Sequence, residues 1–183
     1  MDIGETLYVT ERKVWRAWLE AHHATAPEIW LVGYSKASGQ PSLPYNDAVE
    51  EALCFGWIDS IVKKHGPESR AQRFTPRRPG SPYSEMNKAR VRRLAEAGLM
   101  APAGMETAHA VLDEPFEMPP DIIEALQTDE ETWRNFEAFP ESYKRIRIGW
   151  IDVARSRPEV FEQRLEYFLR MTAQNKRYGM VRE

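Results

Sequence analysis

Four side chains in the middle of the sequence form a pattern typical of anion recognition. They are an indole, a carboxylate and two guanidinium groups: Trp57, Asp59, Arg73 and Arg77. Guanidinium groups donate paired hydrogen bonds to carboxylates and phosphates, an indole offers a flat wall, and a carboxylate can hold a guanidinium in place. Because two close arginines repel each other unless an anion lies with them, we interpret the four as a ligand-binding surface. The alternative is a structural ion pair on a half-exposed sheet face.

The sequence around these four residues is strongly basic. Residues 63–93 contain ten Lys or Arg against two acids, a local balance of +8, whereas the whole chain carries −3. Such a segregation of charge attracts anions to one region. The same region supplies the other residues that we predict to line the ligand site: Arg78, Ser81, Tyr83, Ser84 and Asn87. A helix starting near the two serines would offer free backbone N–H groups to a phosphate or carboxylate, although Ser-Pro is also an ordinary helix cap.

A β-hairpin is predicted to position the four side chains. Strands at 57–64 and 70–78 flank a five-residue loop whose Gly66-Pro67 pair indicates a chain reversal. If Lys64 faces Arg70, side-chain alternation places all four on one face of the hairpin. A bulge that shifts the register by one residue would separate them.

Helical periodicity accounts for most of the remaining chain. Helices are predicted at 10–23, 46–56, 81–98, 102–112, 121–127, 129–138, 140–156 and 158–174, and a further buried strand at 28–34. The proline-rich stretch 113–120 is typical of an interdomain linker. We therefore predict an α+β domain over residues 1–116, with a small antiparallel sheet covered by helices, and a helical unit over 117–183.

Composition limits the class of protein. With 42% hydrophobic residues and six Trp, the chain has the profile of a folded protein. Its longest apolar run, Ile29 to Tyr34, is too short to span a membrane, and the N-terminus lacks a secretion signal, so we expect a soluble, cytoplasmic protein without membrane insertion. Cys54 is the single cysteine, which excludes an internal disulfide and a cysteine-based zinc site.

No motif in the sequence indicates catalysis. The four histidines have no metal-ligand spacing and lie in no known nucleophile motif, and the glycines form no phosphate-binding loop. Asp59 would be a poor general base near neutrality beside two arginines. We therefore predict no catalytic residues, no metal and no cofactor, and a small anionic ligand as the partner.

Three segments resemble the YdeI/OmpD-associated family of bacterial proteins. They are Glu51-Ala-Leu-Cys-Phe-Gly-Trp-Ile-Asp-Ser60, then Arg73-Phe-Thr-Pro-Arg-Arg-Pro-Gly-Ser81 with Tyr83-Ser-Glu-Met-Asn87, and Pro140-Glu-Ser-Tyr143 leading into Gly149-Trp-Ile-Asp-Val-Ala154. Tyr83 stands where the family usually has Trp. The resemblance implies a YjbR/CyaY-like α+β domain followed by helices, and the family labels of bacteriocin protection or outer-membrane-protein association, which describe phenotype more than chemistry. It implies no established catalytic activity.

Two other classes of function remain open. The basic segment 63–93 could follow a nucleic-acid backbone without sequence preference. Alternatively, the last helix could bind a protein partner or a second copy of the chain through its apolar face, formed by Phe161, Leu165, Phe168 and Leu169.

Overall fold

A computed structural model describes residues 2–179 and shows an α+β protein, as predicted. The described part of the chain contains four strands, β1 (Thr6–Leu7), β2 (Ile29–Tyr34), β3 (Trp57–Lys64) and β4 (Ser69–Pro76). Its helices are α1 (Arg12–His22), α2 (Tyr45–Cys54), α3 (Glu85–Glu96), α4 (Pro102–Leu112), α5 (Pro120–Gln127), α6 (Glu130–Ala138), α7 (Glu141–Asp152) and α8 (Pro158–Ala173), and a short 3₁₀ turn covers Lys36–Ser38. No helix within residues 2–179 combines the length and the apolar character that crossing a membrane requires.

The four strands form one sheet in the order β1-β2-β4-β3. Strand β4 runs antiparallel to both β2 and β3, whereas β1 lies parallel to β2, with Thr6 opposite Trp30 and Leu7 opposite Leu31. The predicted antiparallel sheet is therefore a mixed sheet. Two residues are too few to show strand periodicity, which is why the sequence did not reveal β1.

A bulge in β3 changes the register of the hairpin. Val62 faces Gln72, as predicted, but beyond the irregularity between Asp59 and Val62 the pairing shifts by one residue and Asp59 faces Phe74. Because cross-strand partners lie on the same face of a sheet, Trp57 and Asp59 share the face of Phe74. The prediction of one common face is wrong: Arg73 and Arg77 alternate onto the opposite face of the sheet.

Helices α1 and α2 cover the face of the sheet that carries Phe74. The rings of Trp15 and Phe74 lie 5.5 Å apart between centroids, and the Trp15 indole donates a hydrogen bond of 3.0 Å to the Ala48 carbonyl. Both rings are fully buried. Trp15 of α1 therefore packs against the sheet and hydrogen-bonds to α2, so these elements share one core.

The chain divides into two compact units. The first contains Met1–Pro82 and Arg90–Asp113, and the second contains Tyr83–Ala89 and Glu114–Glu183. The second unit has an apolar core of its own, built from α5 to α8 and the segments between them: Ile122, Leu126, Phe136, Phe139, Tyr143, Ile148, Ile151 and Phe168. Asp129 caps α6 by accepting hydrogen bonds from the backbone and hydroxyl of Thr132, which lowers the pKa of Asp129.

The apolar face of α8 contributes to this core. Phe168 is completely buried, and Phe161, Leu165 and Leu169 pack against the cluster as partly buried side chains. Internal packing therefore accounts for the spacing of these residues. Binding of a partner through the tail stays a prediction.

Gly104 sets the distance between α4 and α2. A Cβ atom on this residue would lie 2.1 Å from the carbonyl oxygen of Cys54, which is far inside van der Waals contact. Gly104→Ala should therefore lower the free energy of unfolding by about 2–3 kcal/mol, although alanine normally stabilises a helix interior. Urea unfolding measures the change. Gly33→Ala is the control, since a Cβ on Gly33 meets only the Ser42 hydroxyl at 3.9 Å, and equal stability of the two variants would contradict the packing argument.

Candidate functional site

Trp57 is part of the protein core. Its side chain is 1% exposed, its ring meets that of Trp18 edge-on at 5.8 Å, and its indole N–H donates to the His23 carbonyl at 3.1 Å. The indole is therefore closed to a ligand. The prediction that Trp57 forms an open stacking wall is wrong, because the bulge in β3 leaves this residue facing α1.

Asp59 lies on the same face but remains accessible. Its carboxylate accepts hydrogen bonds from the Tyr45 hydroxyl at 2.9 Å and from the Gln72 amide at 3.3 Å. Burial, followed by the charge of Asp59 and the hydrogen bond to it, raises the pKa of Tyr45 to about 12. Asp59 therefore binds two neutral donors from α2 and β4 rather than a guanidinium.

Arg73 forms an ion pair on the opposite face of the sheet. Its guanidinium donates to the Glu28 carboxylate, with a 2.7 Å bond from Nε, and the Trp30 indole donates to the other oxygen of Glu28 at 2.9 Å. The hydrogen bonds from Trp30 and then Arg73 lower the pKa of Glu28. The structural ion pair weighed against the ligand site therefore exists, but its acid is Glu28 and not Asp59.

Arg77 stabilises the turn that follows β4. It is 7% exposed and donates to the backbone carbonyls of Ser81 at 3.1 Å and Pro82 at 2.8 Å. Arg78, its neighbour, is exposed and makes no side-chain hydrogen bond or ion pair within residues 2–179. The sequence therefore places two adjacent arginines in different roles.

The remaining predicted residues, Tyr83, Ser84 and Asn87, belong to the second unit. The Ser84 hydroxyl accepts a 3.3 Å hydrogen bond from the backbone N–H of Asn87, which is the geometry of an ordinary helix cap. Tyr83 and Asn87 are both 8% exposed. Ligand binding by these residues, and by Arg73, Arg77, Arg78 and Ser81, stays a prediction.

Most cations of the basic segment 63–93 have partners inside the protein. Ion pairs and hydrogen bonds join Arg73 to Glu28, Arg77 to two carbonyls, Lys88 to Glu85 and Glu114, Arg90 to Asn46, Arg92 to the carbonyls of Val111 and Leu112, and Arg93 to Glu50. Lys63 also makes an interaction. Among the described residues of this segment, Lys64, Arg70 and Arg78 are the cations without a side-chain partner. The local balance of +8 therefore overstates the charge offered to a ligand.

A pocket of about 300 Å³ lies between the sheet and α2 in the first unit. Its walls are mainly apolar and come from β2, β3, β4, α2 and the segments before α1 and α2: Val9, Leu31, Val32, Leu43, Ala48, Val62 and Phe74. Its polar lining consists of Gly33, Tyr34, Ser42, Tyr45, Arg70 and Gln72. An apolar cavity of this size with a few converging polar groups is typical of a small-molecule site.

The register of β4 explains why this space is open. Arg70 faces Gly33 across β2, so no side chain projects from β2 beside the guanidinium. The backbone N–H of Tyr34 donates to the Ser42 hydroxyl at 2.7 Å, and the Tyr8 hydroxyl donates to the Pro41 carbonyl at 2.7 Å. These two bonds hold the segment between β2 and α2 at the edge of the pocket.

Sequence reasoning missed this pocket. One signal was present, since a glycine inside a predicted strand often marks a close approach or an open space. In the sequence, Arg70 stands out only as one cation of the basic segment. Within residues 2–179 there is no cluster of three or more His, Cys, Asp or Glu that could hold a metal ion.

Comparison with known families finds two matches, one on the N-terminal part of the chain and one on the C-terminal helices. Residues 7–107, more than half of the sequence, match the model of a domain of unknown function, DUF8412. Residues 115–175 match the family described as bacteriocin-protection, YdeI or OmpD-associated. The resemblance to this family is thereby confirmed on the C-terminal helices, whereas the similar motifs in residues 51–87 lie in the segment that matches the first model. No curated protein and no solved structure matches the chain.

The pair Glu28–Arg73 should make stability depend on pH. The pKa of Glu28 is lower in the folded state than in the unfolded state. The stabilisation that its ionised carboxylate provides is therefore complete above the unfolded pKa of about 4.3 and is lost as the pH falls through the folded pKa. Glu28→Gln should be about 1 kcal/mol less stable than wild type at pH 7, and the difference should shrink towards pH 3. Urea unfolding across this range measures it. Glu117→Gln, a change at an exposed linker acid, is the control, and a pH-independent difference would contradict the assignment.

Proposed function

We propose that this chain, which belongs to the DUF8412 family and ends in a region of the bacteriocin-protection, YdeI or OmpD-associated family, is a small-molecule binding protein. The ligand is a small anion, with a carboxylate or phosphate group and an apolar body. Its body lies in the pocket between the sheet and α2, and its acidic group lies at Arg70. The site thus retains the predicted ligand class but not the predicted residues.

The observation that carries the proposal is a cation without a partner beside an open apolar pocket. Arg70 lines the pocket, faces Gly33, and has no side-chain hydrogen bond or ion pair within the described residues. A guanidinium in this position can donate two hydrogen bonds to an acidic group. The mainly apolar walls of the pocket can then bury the apolar body of the ligand.

The energetics favour an amphipathic ligand over a bare anion. Arg70 is exposed, so its attraction for an anion alone is weak in water. Each methylene group buried in the pocket contributes about 0.8 kcal/mol, or roughly a fourfold gain in affinity. Straight-chain carboxylates are therefore suitable probes, and affinity should rise along the series from butanoate to octanoate.

Nucleic-acid binding has less support from the structure. Seven cations of the basic segment, Lys63 included, interact within the protein, and their partners include the acids Glu28, Glu50 and Glu114. A phosphate backbone would have to compete with these contacts. Affinity for an oligonucleotide that falls steeply with salt would nevertheless favour this alternative over the pocket.

Filling the pocket should weaken binding of octanoate. Gly33→Leu places a branched side chain in the open space above β2, and Gly33→Ala fills it only in part. Isothermal titration calorimetry should show a graded loss, with about a tenfold weaker affinity for leucine and a smaller change for alanine. Unaltered thermal unfolding of both variants is the control for folding. Equal affinity of wild type and Gly33→Leu would contradict the proposed site.

Removing the cation should weaken binding of the acid but not of a neutral analogue. Arg70→Gln should reduce the affinity for octanoate about fivefold and leave that for octanol unchanged, since the exposed ion pair contributes only modestly. Arg78→Gln is a matched control, because Arg78 is also exposed and without a side-chain partner in the described part of the chain but does not line the pocket. The same loss of affinity in both variants would indicate a general charge effect and would contradict the role of Arg70.

A further inference from the structure

We infer that the acidic group of the ligand is a phosphate monoester held between Lys64 and Arg70. This inference rests on the proposed function, because it uses the same pocket and the same arginine. It adds a second cation and a second, polar depression next to the pocket.

Lys64 and Arg70 are direct cross-strand partners. Lys64 on β3 faces Arg70 on β4, so both side chains leave the same face of the hairpin. Like charges that lie directly opposite each other destabilise a sheet. Neither side chain has a hydrogen bond or an ion pair with any residue from 2 to 179, so no acid of the described chain compensates the pair. An anion bound between them would remove this repulsion.

A depression at the hairpin loop adjoins the apolar pocket. Arg70 and Val62 line both spaces, so they stand at the junction between them. The depression is otherwise lined by Ser35, Lys63, Lys64, Gly66, Pro67, Glu68 and Ser69. Lys63 makes an interaction of its own, but Lys64 and Arg70 still outnumber the single acid Glu68, so this lining is positive. A ligand can therefore extend from an apolar wall at one end to a positive, polar surface at the other.

The charge of this junction fits a phosphate better than a carboxylate. A carboxylate carries one charge, which would leave one of the two facing cations uncompensated. A phosphate monoester carries a charge of about −1.5 to −2 at neutral pH and presents three acceptor oxygens, enough for the guanidinium and the ammonium group together. The apolar pocket would hold the alcohol part of the ester.

The test compares octyl phosphate with octyl sulfate, which has the same chain and a similar tetrahedral head. The second pKa of a phosphate monoester is about 6, so octyl phosphate gains a charge between pH 5 and pH 7.5, whereas octyl sulfate stays monoanionic. Calorimetry should show that the affinity ratio of phosphate to sulfate rises roughly fivefold over this range. Octyl sulfate is the control for any change in charge of the protein groups around the site, because such a change would affect both ligands. These groups are Lys63, Lys64, Glu68, Arg70 and His65, whose ring nitrogen lies 3.1 Å from the Ser69 hydroxyl.

Substitution of Lys64 gives a second, independent readout. Lys64→Gln should abolish the rise in the ratio, Lys64→Arg should restore it, and Arg78→Gln should preserve it. A ratio that does not change with pH in the wild type, or a rise that survives in Lys64→Gln, would overturn the inference. If octanoate still binds and Gly33→Leu still weakens its binding, the proposed function stands while the phosphate assignment fails. If inorganic phosphate binds as tightly as octyl phosphate, the pocket is not used and both fail.

Discussion

The pairing of β4 with its two neighbours is the constraint on which the candidate site depends. Arg70 lies between Gly33 on one side and Lys64 on the other. The glycine leaves open space beside the guanidinium, and the lysine adds a second cation. Side-chain alternation then places Gln72 and Phe74 on the same face, where they line the pocket. A register slip of one residue at this end of the sheet would move Arg70 to the other face and close the site.

The internal ion pairs explain why a strongly basic segment does not act as a single positive surface. Helix α3 contributes Arg93 to the nearly buried Glu50, which also accepts a 3.0 Å hydrogen bond from Arg12 on α1. Buried carboxylates require such partners, because an uncompensated charge in the interior is costly. Segregation of charge along the sequence therefore reflects in part how distant segments neutralise each other after folding. Among the described residues of this segment, the cations that remain available to a ligand are Lys64, Arg70 and Arg78.

Much of the fold could be predicted from the sequence because its signals are local. Apolar periodicity, prolines and capping residues indicated the helices, including α5 to α8, and the Gly66-Pro67 reversal indicated the hairpin. The face assignment of Trp57 and Asp59 failed because a bulge leaves no local signal, yet it reverses every side chain beyond it. The pocket was missed because it depends on the missing side chain of Gly33 and on the position of α2 over the sheet. The spacing of residues along the chain reveals neither feature.

The most direct test of the account is the location of a bound ligand chain. A ¹H–¹⁵N NMR titration with octanoate should shift the backbone amides that line the pocket, above all those of Gly33, Ala48 and Gln72, while the amides of Gly80 and Arg78 stay in place. Saturable shifts confined to the first group would support binding between the sheet and α2. Shifts centred on residues 78–87, or no saturable shift at all, would contradict it.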